Sequence, residues 1–199
     1  PPDVASAAAP AARSTPSPDS AAPPLPGFAV LTANIHMGFD MLQRRFVLPQ
    51  LREAIRTVGA DIVFLQEVLG DHAHHARRWQ DWPAAPHYEY LADSLWPQFA
   101  YGRNAVYPHG HHGNALLSRL PIVRYQNHDV SVAGHENRGL LHCELELPGH
   151  PQHLHAICVH LGLREGHRRR QMDLLCAELE QRVPADAPVV VAGDFNDWR

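Results

Sequence analysis

The stretch "VVVAGDFNDWR" (189–199) decides how the rest of the sequence is read. Three valines and Ala192 make a short β-branched apolar run, the pattern of a buried strand. The run leads through Gly193 to Asp194 and Asn196, a carboxylate and a carboxamide two positions apart. If the backbone stays extended, the two share a face. A carboxylate at the mouth of a buried strand is costly unless it is paired, hydrogen-bonded or bound to a cation. The local alternative is an Asx turn that only closes the strand. From these residues alone both readings stand.

The same design recurs upstream. Strands are predicted at "FAVLTANIH" (28–36), "DIVFLQEV" (61–68), "NALLSR" (114–119), "PIVRYQNHDVSV" (121–132), "RGLLHCELEL" (138–147), "HLHAICVHL" (153–161) and "APVVVAGDFN" (187–196). Four of them end in polar groups: Asn34 and His36, then Gln66 and Glu67, then His160, then Asp194 and Asn196. Helical spacing appears over 45–58 and over 165–182, where Met172, Leu175 and Leu179 form one stripe. One or two short helices are expected within the His- and Trp-rich residues 71–96. Several consecutive strands in the middle argue against a purely parallel sheet. They point to an α/β fold of two stacked mixed sheets with helices outside.

Composition narrows the chemistry. The 199 residues suffice for one domain with a sizeable core. Residues 1–26 are Pro, Ala and Ser with almost no large apolar side chains, and read as a disordered tail before a domain at 27–199. Net charge is −4, against a protein that grips nucleic acid by bulk charge. All 17 basic residues are arginine, which excludes a Schiff-base or P-loop lysine within this span. Cys143, Cys158 and Cys176 are widely spaced and read as small core residues. No apolar stretch nears the ~20 residues of a membrane span, and no signal-peptide pattern is visible. A cytoplasmic monomer is the expectation, although the chain opens on Pro1 rather than methionine.

Glu67, Asp194, Asn34, Asn196 and His160, all at strand ends, suit a hard cation such as Mg²⁺. The lack of an HExxH motif or a thiolate pair speaks against zinc there. Asn34 can serve the same site or satisfy nearby backbone, and His36 can touch a ligand or cap a strand end. The tracts "HAHH" (72–75) and "HGHH" (109–112) invite a transition-metal reading, but are expected to be solvated loops. "RRR" (168–170) is expected to be a solvated helix face, and Trp79, Trp82, Trp96 and Tyr101 to pack in the core.

Taken in order, "TANIH", "DIVFLQEV", "GNALLSRLPI", "CVHLGL" and "VVVAGDFND" resemble the endonuclease/exonuclease/phosphatase superfamily, most of all its small bacterial single-domain members. The resemblance implies a four-layer α/β sandwich and hydrolysis of phosphate esters with Mg²⁺ or Mn²⁺. Substrates would be nucleic acid, a phospholipid headgroup or a soluble phosphoester. It assigns Glu67 and Asn34 to the metal, Asp194 to the attacking water, and Asn196 and His160 to phosphate oxygens. Arg138 and His36 would contact substrate. Members of the family carry a further strand with an Asp-His pair, which this sequence does not reach. A fragment lacking the C-terminal part of the domain, weakly active or inactive alone, is therefore expected. A non-catalytic binding module on the same fold is the alternative.

Overall fold

A computed structural model describes residues 27–198, so the expected tail at 1–26 lies outside the described residues. In chain order the elements are β1 (Val30–Asn34), a 3₁₀ turn (His36–Gly38), α1 (Leu48–Val58), β2 (Ile62–His72), α2 (Ala73–Arg78), α3 (His87–Ala92), β3 (Gln98–Tyr107), β4 (Gly110–Ser118), β5 (Ile122–Asp129), β6 (Gly139–Leu145), β7 (Leu154–His160), α4 (Glu165–Arg182) and β8 (Val189–Asp194). They form two four-stranded sheets, ordered β1-β2-β4-β3 and β5-β6-β7-β8. Each sheet is mixed, with one parallel pair: β1 with β2, and β7 with β8.

The strand sequences dictate the layering. β2 and β7 are apolar on both faces because both faces are covered. Ile62, Phe64 and Leu116 of the first sheet meet Leu141, Cys143, Ala156 and Cys158 of the second. Full burial of a side chain such as Phe64 stabilises the fold by ~1.5–3 kcal/mol. The opposite face of the first sheet, through Val63, Leu65 and Leu117, packs on Leu48 and Ile55 of α1, Leu91 of α3, and Trp96. Leu175 of α4 covers Leu140, Ile157 and Val159 on the outer face of the second. The result is helix, sheet, sheet, helix: the expected four-layer sandwich. α1 begins with proline in its first turn and ends at Gly59, whose φ of 63° suits a left-handed cap.

Three expectations are corrected. β3 has no counterpart in the sequence reading, because Gly102, Arg103 and Asn104 interrupt its alternation where its register shifts between Arg103 and Ala105. The histidine tracts are not simply solvated loops. β2 continues to His72 and β4 starts at Gly110, so the tracts meet at one end of the first sheet, where His74 stacks on His109 with ring centroids 3.8 Å apart. On α4, Leu175 is buried and Leu179 packs beside it as expected, but Met172 is exposed, Gln171 and Glu178 take buried positions, and Cys176 is exposed. Gln171 is buried because it satisfies backbone, accepting from Gly162 N–H and donating to the Val130 carbonyl. Trp96 packs in the core as expected and donates its indole N–H to the Ala60 carbonyl.

Candidate active site

The two parallel pairs end together. Asn34 pairs with Gln66 at the end of β1, and His160 pairs with Asp194 at the ends of β7 and β8. β1 lies against β8 across the crevice between the sheets. Strand parity then aims the side chains. Val190 and Ala192 face the inter-sheet core, so Asp194 points into the crevice. Ala156 and Cys158 do the same for His160. Gln66 donates to Thr32 Oγ1 and to Cys158 Sγ of the other sheet, which fixes the crevice side of β1 as the one that carries Asn34.

Glu67 has the wrong parity. Its neighbours Val63 and Leu65 face the helices, and a regular strand would send Glu67 after them. A bulge prevents this. The register shifts between Leu65 and Val68, and Glu67 adopts a φ of 54°. Its carboxylate thereby reaches Asn34 Nδ2, which donates to Glu67 Oε1 at 3.2 Å and to Asp194 Oδ2 at 3.1 Å. Acids contributed by different sheets thus meet on a single amide nitrogen.

The neighbouring residues are reached by turns. Asn34 Oδ1 accepts from the His36 N–H at 3.0 Å, and Asp194 Oδ1 accepts from the Asn196 N–H at 3.0 Å. These are the same side-chain-to-backbone closure at the ends of β1 and β8. The chain is not extended past either residue, since His36 and Asn196 have φ values of 45° and 51°. The Asx turn and the site are therefore one structure rather than rival readings. Non-glycine residues held at positive φ cost of order 1–3 kcal/mol each and gather where function demands them.

His160 Nε2 lies 3.8 Å from Asp194 Oδ2 and 4.0 Å from Glu67 Oε1, beyond hydrogen-bond length. Burial, reinforced by the Arg138 charge, pulls its pKa down to about 4, so the imidazole is neutral at pH 7. His36 Nδ1 comes within 3.6 Å of Glu67 Oε2. Arg138 donates to the Leu161 carbonyl at 3.3 Å and lies within electrostatic range of Glu67 and Asp194. Asn196 is buried. Its Nδ2 donates to the Leu161 carbonyl at 2.8 Å and its Oδ1 accepts from Trp198. All seven sequence-selected residues therefore gather at one end of the crevice.

One neighbour escaped the sequence reading. His112 shares a face of β4 with Asn114 and Leu116, and lies close enough to Glu67 to feel its charge. Its Nδ1 is buried without a hydrogen-bond partner. The signal was available: in "HHGNALL" (111–117), His112 stands two positions before Asn114. Starting the strand at 114 hid it. Asn114 itself crosses the crevice, donating to the carbonyls of Gly139 and Cys158.

The donor set fits a hard divalent cation. Carboxylate oxygens of Glu67 and Asp194 face each other across Asn34, with an imidazole alongside and no thiolate. The amide hydrogens of Asn34 lie where two like charges require positive potential.

Known proteins resemble this chain in sequence and in fold. The Endonuclease/Exonuclease/phosphatase family matches residues 31–199. The uncharacterized protein YbhP of Escherichia coli (strain K12) is 59% identical over 172 residues, covering 86% of this chain and 68% of YbhP. The crystal structure of an endonuclease/exonuclease/phosphatase from Beutenbergia cavernae DSM 12333 superposes with a TM-score of 0.65 at 24% identity, covering 86% of this chain and 48% of that one. D. rerio TDP2 complexed with single strand DNA product superposes with a TM-score of 0.60 at 19% identity, covering 86% and 62%. The chain thus spans about half the length of the Beutenbergia protein. At these identities the structural matches speak for the fold.

Proposed function

Because the chain belongs to the endonuclease/exonuclease/phosphatase family, a family with a hydrolase fold, we propose that it serves as a divalent-metal-dependent phosphodiesterase. The observation that carries this reading is the meeting of Glu67 and Asp194, from two sheets, on Asn34 Nδ2. Glu67 would hold Mg²⁺ or Mn²⁺, and Asn34, whose Nδ2 donates to Glu67 Oε1, would position that carboxylate. When bound, such an ion polarises a phosphoryl oxygen and offsets charge on the leaving oxygen.

The chain's own groups supply the rest. Asp194 orients a water for in-line attack and accepts its proton at Oδ2, while its Oδ1 stays anchored to the Asn196 N–H. His160, neutral and buried, donates its ring N–H to the developing negative charge on phosphorus oxygens. Asn196 has one Nδ2 hydrogen held by Leu161, which fixes the amide plane and leaves the other for a phosphate oxygen. Arg138 and His36 flank the opening and meet the substrate's remaining charge.

Nucleic acid, phospholipid headgroups and soluble phosphoesters all present the reacting group this site would take. The DNA product in D. rerio TDP2 makes single-stranded nucleic acid the first substrate to try. The test is hydrolysis of bis-p-nitrophenyl phosphate, DNA and phospholipid, run on residues 1–199 and on a chain of YbhP's length. Turnover of at least one substrate with Mg²⁺ or Mn²⁺, stopped by EDTA, is expected. Binding of these compounds without turnover at either length would point to a binding module instead.

A further inference from the structure

A second polar cluster lies on the opposite side of the second sheet. β6 turns Leu140, His142 and Glu144 toward α4, and β7 turns His155 and Ile157 the same way. Towards the far end of α4 the apolar packing gives way to Glu178, buried against two histidines. Glu178 Oε1 lies 2.8 Å from His142 Nδ1 and 3.1 Å from His128 Nε2. His142 and Glu178 are 5% and 8% exposed, so this is not a solvated surface pairing. His142 pairs with Ile157, three residues before His160, so the cluster stands about 10 Å along the strand from the catalytic crevice. It also lies on the other face of the sheet.

We propose that His128 Nε2, His142 Nδ1 and Glu178 Oε1 form a second metal site, for a borderline transition ion of which Zn²⁺ is the type. Three features argue for it. First, the three donor atoms lie within 4.8 Å of one another. A tetrahedral ion with bonds of ~2.0–2.1 Å holds its ligand atoms about 3.4 Å apart, so small side-chain shifts seat it. Second, His128 Nε2 is buried 3.1 Å from a carboxylate oxygen yet makes no hydrogen bond. A ring nitrogen held this close to a carboxylate oxygen without bonding it leaves both atoms unsatisfied, and an ion between them would satisfy both. Third, the outer partners are in place. His142 Nε2 is 2.8 Å from His155 Nδ1, the contact that orients a ligating imidazole. Arg182 Nε fixes the other oxygen of Glu178 at 3.1 Å.

A cavity of about 80 Å³ borders His128, His142 and Glu178, with room for a water as fourth ligand. Two imidazoles and one carboxylate favour Zn²⁺, Co²⁺ or Ni²⁺ over Mg²⁺. The charge of Arg182 opposes any cation, and Glu178 offsets it. The ligands come from β5, β6 and α4, so the ion braces the outer helix onto the sheet. A hydrogen-bonded relay from His155 through His142 to Glu178, with no ion, is the competing outcome.

The test uses Glu67→Gln as background, to remove uptake at the catalytic crevice, and reads Zn²⁺ stoichiometry by equilibrium dialysis with elemental analysis. Co²⁺ serves as a spectroscopic probe. One equivalent of Zn²⁺ is expected, with the visible bands of tetrahedral Co²⁺ and a raised thermal midpoint. Adding His128→Gln should weaken uptake by more than about 100-fold, beyond the 10–100-fold attached to an outer hydrogen-bond partner such as His155. Glu178→Gln should do the same. If that buried change prevents folding, the less buried His128→Gln decides. Unchanged uptake in His128→Gln, or uptake lost only in a His74→Ala/His109→Ala variant, would overturn the proposal.

Discussion

Asn34 shows how a single residue can carry two duties. Its carbonyl oxygen closes the turn that brings in His36, while its amide hydrogens separate two carboxylates. His160 stands beyond bonding distance of both acids, a neutral donor waiting for a third party. His160→Ala should lower kcat by ~10²–10³ with a smaller change in KM, the pattern of a donor used mainly in the transition state. Steady-state kinetics on the metal-loaded enzyme checks this. His87 tests burial instead. It is 1% exposed, neither ring nitrogen has a partner, and desolvation pulls its pKa from 6.5 to about 3. The native state keeps it neutral while the unfolded chain protonates it below about pH 6.5. Its presence therefore costs stability progressively as pH falls from 6.5 toward 3. His87→Phe, which suits its neighbours Phe46 and Trp82, should lose less of its urea midpoint between pH 7 and pH 5 than the parent.

At the scale of elements, the site depends on how strands end. Gly193 approaches β7 so closely that a Cβ there would stand 1.9 Å from the Val159 carbonyl oxygen, and its φ is 152°. Nothing but glycine fits one residue before Asp194. Gly193→Ala should destabilise the protein well beyond the ~1–3 kcal/mol of ordinary overpacking, read as the shift in denaturant midpoint. The strands themselves were legible because β-branched runs such as 189–192 admit few other readings. Their ends were not. Parity placed Asn34 and Asp194 on the crevice side but says nothing of a bulge, and only the bulge turns Glu67 inward. β3 was hidden by the polar residues at its own register shift. The polar side chains under α4 were hidden because helical spacing counts hydrophobic residues, and here Gln171 and Glu178 take buried positions.

At the scale of the whole molecule, the sandwich works as a clamp between two half-sites. The first sheet contributes Asn34, Glu67 and His112, and the second His160, Asp194 and, just beyond it, Asn196. Neither sheet alone brings two carboxylates together. The motif order exposed this much in the sequence, and residues as far as 160 positions apart, such as Asn34 and Asp194, were grouped because each closes an apolar strand. Among the described residues no helix is long and apolar enough to cross a membrane. If the two halves act as one unit around a divalent ion, removing either acid should cost nearly as much as removing both. The decisive measurement is a double-mutant cycle on kcat/KM for Mg²⁺- or Mn²⁺-dependent hydrolysis of bis-p-nitrophenyl phosphate. It uses Glu67→Gln, Asp194→Asn and their combination in a chain of YbhP's length. Each single change is expected to lower the rate by at least ~10², with the pair little worse than the more damaging single. Full activity in either single variant, or losses that simply multiply, would contradict a shared site.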